Sequence, residues 1–490
     1  MSFWSWMLSL VVIGMSVTAA GHAMLWKRSP KAAMGWVAVS LTLPGFGAVL
    51  YFLFGINRIQ TRARILEDRS TARLGSKRIP PRRRIEGRPP RRRIARDAEP
   101  AAPVTVDPSL SELDRVSAAV TGMPLVSGNR IEMLHNGEEV YPKMVEVIDA
   151  ARERLCLTTY IFETNGSGYR IADALQRAKD RGVDVRVLID GFGEFYTRPR
   201  MSRELERRGV RVEQFLELRL VPPSLHFNLR NHRKILVADG RIGFTGGMNL
   251  GDRHLAAALD NPARVVDVHF QLEGPIVADL ERVFFQDWAF TTGRRPDVVP
   301  KPDAHPSGEA ICRVVVDGPD DDIDKLAMIL VGAISAARGK VAIMSPYFLP
   351  PRELIGALKA AALRGVEVTV ILPALNNLLF VHWATRNMLW ELLERGVEVY
   401  YQPPPFAHSK LFVVDDHYAQ IGSANLDSRS LRLNFEMQVE VYDQPFAQQV
   451  AAHIERVRRE SRAVTLEELD GRPFLERLRD SFIWLFTPYL

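Results

Sequence analysis

His232-Arg233-Lys234-Ile235-Leu236-Val237-Ala238-Asp239 returns later in the chain as His408-Ser409-Lys410-Leu411-Phe412-Val413-Val414-Asp415. Each copy runs on with the same spacing to a glycine and an asparagine, Gly246-Gly247-x-Asn249 in the first and Gly422-Ser423-x-Asn425 in the second. The apolar run between Lys and Asp reads as a strand, on which residues i and i+2 share a face, so each imidazole projects together with its ammonium. A doubled frame of this kind predicts two similar halves that face each other across a pseudo-twofold axis and share one site.

The sequence around the frames repeats as well. Arg181-Gly182-Val183 and Arg364-Gly365-Val366 each introduce an alternating strand after a helix, and Arg208-Gly209-Val210 and Arg395-Gly396-Val397 use the device again. Glycine ends a helix, and period-two alternation marks a strand. Strands alternating with helices predict an α/β fold of two α/β/α halves, at residues 126–300 and 301–462. Cys156 and Cys312 sit among apolar neighbours and read as packed strand residues, not as a disulfide.

The amino-terminal region has a different character. Met1 to Trp26 and Ala32 to Asn57 carry no Lys, Arg, Asp or Glu, and each is long enough for the roughly 20 residues that cross a bilayer. Residues 1–57 are therefore expected to form a transmembrane hairpin of two helices, with Trp4, Trp6, Trp26 and Trp36 as interfacial anchors. A basic arm and linker, 58–125, follows. Its stretch 58–96 carries fifteen Lys and Arg, against Lys27, Arg28 and Lys31 in the hairpin loop, which puts the catalytic portion on the cytoplasmic side. Residues 1–97 hold eighteen cations and four acids, a balance of +14; the whole chain is +6, which leaves −8 for the rest. A nuclease spreads cations around its site to contact phosphates. In this chain they are concentrated beside the membrane, so nucleic acid is not the expected partner and anionic lipid headgroups are.

Two His-x-Lys pairs suit a phosphodiester. One neutral imidazole attacks phosphorus while the other, protonated, hands its proton to the leaving alkoxide. Lys234, Lys410, Asn249, Asn425 and the Ser423 hydroxyl are candidate ligands for the non-bridging oxygens, where charge develops. Asp267 and Glu436, each downstream of its own His-x-Lys by a similar length, are candidate carboxylates for orienting the imidazoles. Lysine is a poor metal ligand, and neither His-Glu-x-x-His nor Cys-x-x-Cys occurs, so no metal or other cofactor is expected.

These frames resemble the paired HKD motifs of the phospholipase D superfamily. The longer stretches Asn231-His232-Arg233-Lys234 and Gly422-Ser423-Ala424-Asn425-Leu426-Asp427-Ser428-Arg429-Ser430, with the closing Phe486-Thr487-Pro488-Tyr489-Leu490, are similar to the bacterial cardiolipin synthase family. The resemblance implies catalytic roles for His232, Lys234, Asp239, His408, Lys410 and Asp415, with His232 as nucleophile and His408 as acid. It also implies the reaction: two phosphatidylglycerol molecules give cardiolipin and glycerol through a phosphatidyl-histidine intermediate, in a multi-pass protein of the bacterial inner membrane. A phospholipase D-type hydrolase would use the same residues with water as acceptor, and a non-catalytic membrane adaptor would have no reason to keep both motifs. Asn376-Asn377 and Gly251-Asp252-Arg253-His254 depart from the family pattern and bear on headgroup preference.

Three further features remain. Tyr160 and Tyr347 stand at equivalent strand ends, as core residues or as headgroup contacts. Leu378-Leu379-Phe380-Val381-His382-Trp383 is an apolar patch. The tail, 463–490, opens on a capping box at Thr465 and Glu468 and continues with Leu475, Leu478, Phe482, Leu485 and Phe486 at amphipathic spacing.

Overall fold

The computed structural model describes residues 3–27, 30–55, 104, 106–217, 229–294, 306–319 and 324–487; the basic arm at 58–96 lies outside the described residues. The chain divides into two compact units, Met1–Ile65 and Leu66–Leu490.

Among the described residues of the first unit one helix, Trp4–Trp26, is long and apolar enough to cross a membrane, with 23 residues and a mean hydropathy of 1.7. The second apolar stretch is not the continuous span expected from composition. Its helix Pro30–Thr42 has 13 residues, about 20 Å at 1.5 Å per residue. Pro44, which lacks an N–H, and Gly45, at φ 76°, separate it from Phe46–Leu50 and a π-turn at Tyr51–Gly55. The two segments still pack together: Ala19 and Ala23 meet Ala48 and Tyr51, Ser16 Oγ accepts the Gly45 N–H at 3.1 Å, and His22 Nδ1 lies 2.7 Å from Tyr51 Oη.

The second unit is built on one long mixed sheet whose strand order runs the same way outward from its centre in both directions. At the centre Val126–His135 pairs antiparallel with Ala310–Asp317. Outward on one side come Val268–Glu273, Ile242–Gly246, Ile235–Ala238, Arg154–Thr159, Asp184–Asp190 and Arg211–Phe215. On the other side Asn434–Tyr442, Tyr418–Gly422, Leu411–Val414, Lys340–Met344, Glu367–Pro373 and Glu398–Gln402 follow in matching order. The repeat seen in the sequence is thus a repeat of topology.

Helices cover both faces because alternate strand residues are apolar on both. Val185, Val187 and Ile189 join the core formed with helices Asn136–Ala150 and Gly166–Asp180. Arg186, pointing the other way, stacks 5.3 Å from the Phe285 ring centroid on helix Val277–Thr292. The Arg-Gly-Val signposts have a second purpose: Arg181 donates to the carbonyls of Ile148 and Ala151, and Arg364 to those of Ile334, Ser335 and Ala337. Each guanidinium thereby satisfies the open carboxyl end of a neighbouring helix. Cys156 and Cys312 are buried and unpaired. Thr465 caps its helix through the Glu468 N–H, while the Glu468 carboxylate turns to Arg462, so only half of the expected box forms.

Candidate active site

Each frame enters the site by pairing with the other half. Arg230–Asn231 adds a short parallel strand to Asn434–Phe435, and the His232 N–H donates to the Phe435 carbonyl at 3.0 Å. In the second frame Phe406–Ala407 pairs with Val265–Val266, and the His408 N–H donates to the Val266 carbonyl at 2.8 Å. The next residue after each acceptor is a carboxylate. His232 Nδ1 therefore lies 3.1 Å from Glu436, and His408 Nδ1 lies 3.0 Å from Asp267. Asp267 and Glu436 both reach imidazoles, but crosswise, each serving the half to which it does not belong.

All four side chains are buried. Burial lowers the His232 pKa against the opposing pull of Glu436, and burial with Lys410, Lys234 and His232 puts His408 well below the ordinary histidine value. Burial also brings Lys234 to about 7 and Lys410 to about 8. Both ammonium groups donate to the carbonyl of their own histidine at 2.6 Å, and Lys410 Nζ lies 3.0 Å from His408 Nδ1. Burial pushes Glu436 up, but His232, Lys234 and the Ser423 hydroxyl outweigh it and hold the carboxyl below its usual range. For Asp267 burial prevails, and its pKa is raised. The result is a dry cluster of imidazoles and amines, over two buried carboxylates, whose positive charge burial disfavours and an anionic phosphodiester would favour.

Asp239 and Asp415 are not brought to this cluster. Each lies seven residues beyond its histidine, roughly 20 Å at about 3.3 Å per residue, and takes a left-handed φ, 52° and 50°. The Asp239 carboxylate accepts the N–H groups of Arg152, Glu153 and Arg154, and Asp415 accepts those of Arg338, Gly339 and Lys340. They tie a strand end to the loop before its neighbour, a bond an aspartate makes readily from a tight turn. Ser423 also differs from expectation: its hydroxyl donates to Glu436 at 2.6 Å and accepts the Met437 N–H, so it supports the carboxylate behind His232. Asn249 Oδ1 accepts the Ile161 N–H, with no partner for its amide nitrogen among the described residues, whereas Asn425 spends its amide nitrogen on Ser430 Oγ.

Gly246 and Gly422 fit because their strands are crossed closely. A Cβ on Gly246 would lie 2.6 Å from His269 Nδ1, and one on Gly422 2.3 Å from the Met437 carbonyl. Tyr160 and Tyr347 lie beside the imidazoles, with ring centroids 5.4 Å from His232 and 6.3 Å from His408. Their positions are one residue out of register: Asp239 N–H bonds Arg154 and Asp415 N–H bonds Lys340, so Tyr160 matches Pro346. Tyr347 Oη donates to Asn377 Oδ1 at 2.8 Å, and Asn376 holds the Pro346 carbonyl, which gives the Asn376-Asn377 departure a place at the site.

Sequence reasoning missed a layer of support. Asn231 is held by Asp190 and Asp287, and Arg233 pairs with Asp287 while donating to the Glu436 carbonyl. His254, whose Nε2 accepts the Asn249 N–H, stands 6.5 Å from the His408 ring and is driven down to about 3 by burial. The signal for its neighbour was legible, since Asn249-Leu250-x-x-Arg253 and Asn425-Leu426-x-x-Arg429 extend both frames.

A duplicated α/β sheet with one composite His-Lys site at its pseudo-twofold axis defines a phospholipase D-like fold. Phosphatidylserine synthase of Haemophilus influenzae has it too, with a TM-score of 0.59 at 17% identity over 77% of this chain and 100% of that one. The family described as "Cardiolipin synthase, PLD-like domain" matches residues 144–288 and 330–458. Cardiolipin synthase A of Pseudomonas entomophila is 31% identical over 100% of this chain and 98% of its own length. The major cardiolipin synthase ClsA of Bacillus subtilis is 30% identical over 95% of each. The chain belongs to the cardiolipin synthase family of phosphatidyl-transferring enzymes.

Proposed function

We propose that the enzyme joins two phosphatidylglycerol molecules into cardiolipin and glycerol. The observation that carries this is the crossed arrangement in which two buried imidazoles, each backed by the opposite half's carboxylate, share one cationic cluster. An imidazole nitrogen attacks phosphorus, and the bond from phosphorus to the glycerol oxygen breaks. The second imidazole gives that oxygen its proton. A hydroxyl of another phosphatidylglycerol then attacks the phosphatidyl-imidazole, the P–N bond breaks, and the proton returns to the second imidazole. The resemblance gives His232 the first role and His408 the second. Both rings sit below the ordinary histidine pKa, so one starts neutral and nucleophilic, and the negative charge of bound phosphate favours protonation of the other. Lys234, Lys410 and the Asn249 amide steady the non-bridging oxygens, Asp267 and Glu436 orient the rings, and Asp239, Asp415, Ser423 and Asn425 hold the framework.

We further infer that the apolar segments of residues 1–57 anchor the enzyme in the bacterial inner membrane as a bent hairpin. The excess of cations at 58–96 favours a cytoplasmic catalytic body at 126–462. The tail fits the same picture. Phe474, Leu475, Leu478 and Phe482 are exposed on helix Phe474–Trp484, as is Leu485 just past its end, and the helix packs beside Leu379–Met388 and its exposed Leu379 and Phe380. Such a face suits the headgroup–acyl boundary.

Purified full-length enzyme, given phosphatidylglycerol vesicles with a chelator present, is expected to release cardiolipin and glycerol in equal amounts. Phosphatidic acid as the sole lipid product would replace this reading with hydrolysis.

A further inference from the structure

The strands beside Arg154–Thr159 and Lys340–Met344 end alike. The Gly191 N–H donates to the Phe215 carbonyl at 2.8 Å where Asp184–Asp190 runs out, and the Ala374 N–H donates to the Gln402 carbonyl at 2.9 Å where Glu367–Pro373 runs out. Asp190 is in register with Phe215 as Pro373 is with Gln402, so the loops that follow correspond residue by residue. Phe195 and Tyr196 therefore match Leu378 and Leu379. All four are exposed, at 50%, 55%, 47% and 57%. The residue types differ between the halves; the exposed apolar surface at this point does not.

Both loops reach the site through a tyrosine. Tyr196 lies 6.1 Å, ring to ring, from Tyr160, whose ring is 5.4 Å from His232. Leu378 follows Asn377, which accepts the Tyr347 hydroxyl at 2.8 Å, and the Tyr347 ring is 6.3 Å from His408. The loops are also neighbours across the pseudo-twofold axis: burial pushes the Tyr347 pKa up, and Tyr196 of the other half adds to the rise. They form two lips of one mouth.

The second lip continues on the tail, whose helix Phe474–Trp484 is turned inside out. Its Asp480 is buried among Arg386, Arg472 and Arg479, while Phe474, Leu475, Leu478 and Phe482 are exposed. A helix bordered by water does the reverse. Cations attend both lips. The Arg200 guanidinium lies 4.6 Å from the Phe195 centroid, and that of Arg479 lies 4.2 Å from the centroid of Trp383, which meets Phe380 edge-on. Apolar side chains, aromatic rings and arginines together suit a bilayer surface with anionic headgroups. A second copy of the chain would bring arginines of the same sign.

We propose that the two lips sit in the bilayer surface and that the substrate lipid enters between them, its phosphate rising to the histidines while its acyl chains stay in the membrane. This deepens the function proposed above and rests on its phospholipid substrate. A mouth at the interface spares the acyl chains a passage through water.

Full-length enzyme in phosphatidylglycerol vesicles, carrying one fluorescent thiol label at a time, tests the placement, since Cys156 and Cys312 are buried. Labels at Phe195→Cys, Leu379→Cys and Leu478→Cys should be quenched by lipid with a nitroxide just below its headgroup. The quenching should be at least threefold stronger than at Leu363→Cys, an exposed apolar position at the far end of helix Arg352–Leu363. Quenching at Leu478→Cys alone would leave the tail on the membrane and overturn the mouth. Emission that follows protein concentration and ignores the nitroxide would replace the bilayer by a second copy. In the double variant Phe195→Ser, Leu379→Ser, turnover of vesicle phosphatidylglycerol relative to a monomeric short-chain phosphatidylglycerol should fall tenfold or more, and an unchanged ratio would equally overturn the mouth. Phosphatidic acid as the sole product of the unaltered enzyme would sink the transfer reading instead, and the quenching would still decide the lips.

Discussion

Glu436→Gln keeps the shape of the side chain while removing the charge behind His232. Glu436 lies 3.1 Å from His232 Nδ1, also receives the Ser423 hydroxyl and the Asn434 amide, and is buried with its partner. Breaking one side of a buried, hydrogen-bonded charge pair costs about 3–5 kcal/mol. At about 1.36 kcal/mol per tenfold in rate, kcat should fall by roughly 10² to 10⁴. The sign of the pH effect follows from the same contact. Glu436 raises the His232 pKa, so its loss lowers that pKa further, and the limb of the pH–rate profile reporting His232 moves to lower pH. Because the carboxylates are crossed, ¹⁵N spectra should show a changed His232 ring and an unaltered His408 ring, although Glu436 and His408 belong to the same half. Activity within fivefold of the unaltered enzyme, or a change seen at His408 and not at His232, would refute the crossed arrangement.

Other contacts in the catalytic body carry expectations of their own. Asp239→Ala and Asp415→Ala each remove a carboxylate that accepts three backbone N–H groups. Each should cost about 1–3 kcal/mol of stability while kcat per folded molecule stays within about threefold, as thermal melts and active-site titration would reveal. Gly247→Ser should not be tolerated even though Ser423 stands at the matching position. A Cβ at 247 would lie 2.7 Å from both Asp267 oxygens, so Asp267 must leave His408 and kcat should drop at least tenfold. Burial lowers His254 to about 3 and His269 and His453 to about 4, from an ordinary value near 6.5. The unfolded chain therefore binds more protons below about pH 6.5, and stability present above that pH is lost as the pH falls toward 4. A melting temperature of the catalytic body that held steady from pH 7.5 to 4.5 would contradict this.

Much of the molecule could be read from the order of its residues. The duplicated frame gave the two halves, because strand alternation and helix-ending glycines are local properties that survive without tertiary context. The doubling of the frame made the His-x-Lys pairs legible as one site, although each pair lies just before its strand, Ile235–Ala238 or Leu411–Val414, and not on it. Locality also set the limits. Composition marked 32–57 as one apolar stretch, yet Pro44 and Gly45 break its helix, and Tyr160 and Tyr347 look equivalent although the ladder sets them one residue apart.

Only the tertiary structure decided which carboxylate serves which imidazole. That depends on short strands crossing the pseudo-twofold axis, at Arg230–Asn231 and Phe406–Ala407, and a pairing between distant strands leaves no spacing in the sequence to read. It likewise placed the Asp239 and Asp415 carboxylates on backbone N–H groups at the far ends of strands Ile235–Ala238 and Leu411–Val414, away from the imidazoles. Sequence fixes what a residue offers chemically and which face it shares; the meeting of two surfaces at a phosphorus atom is a property of the folded chain.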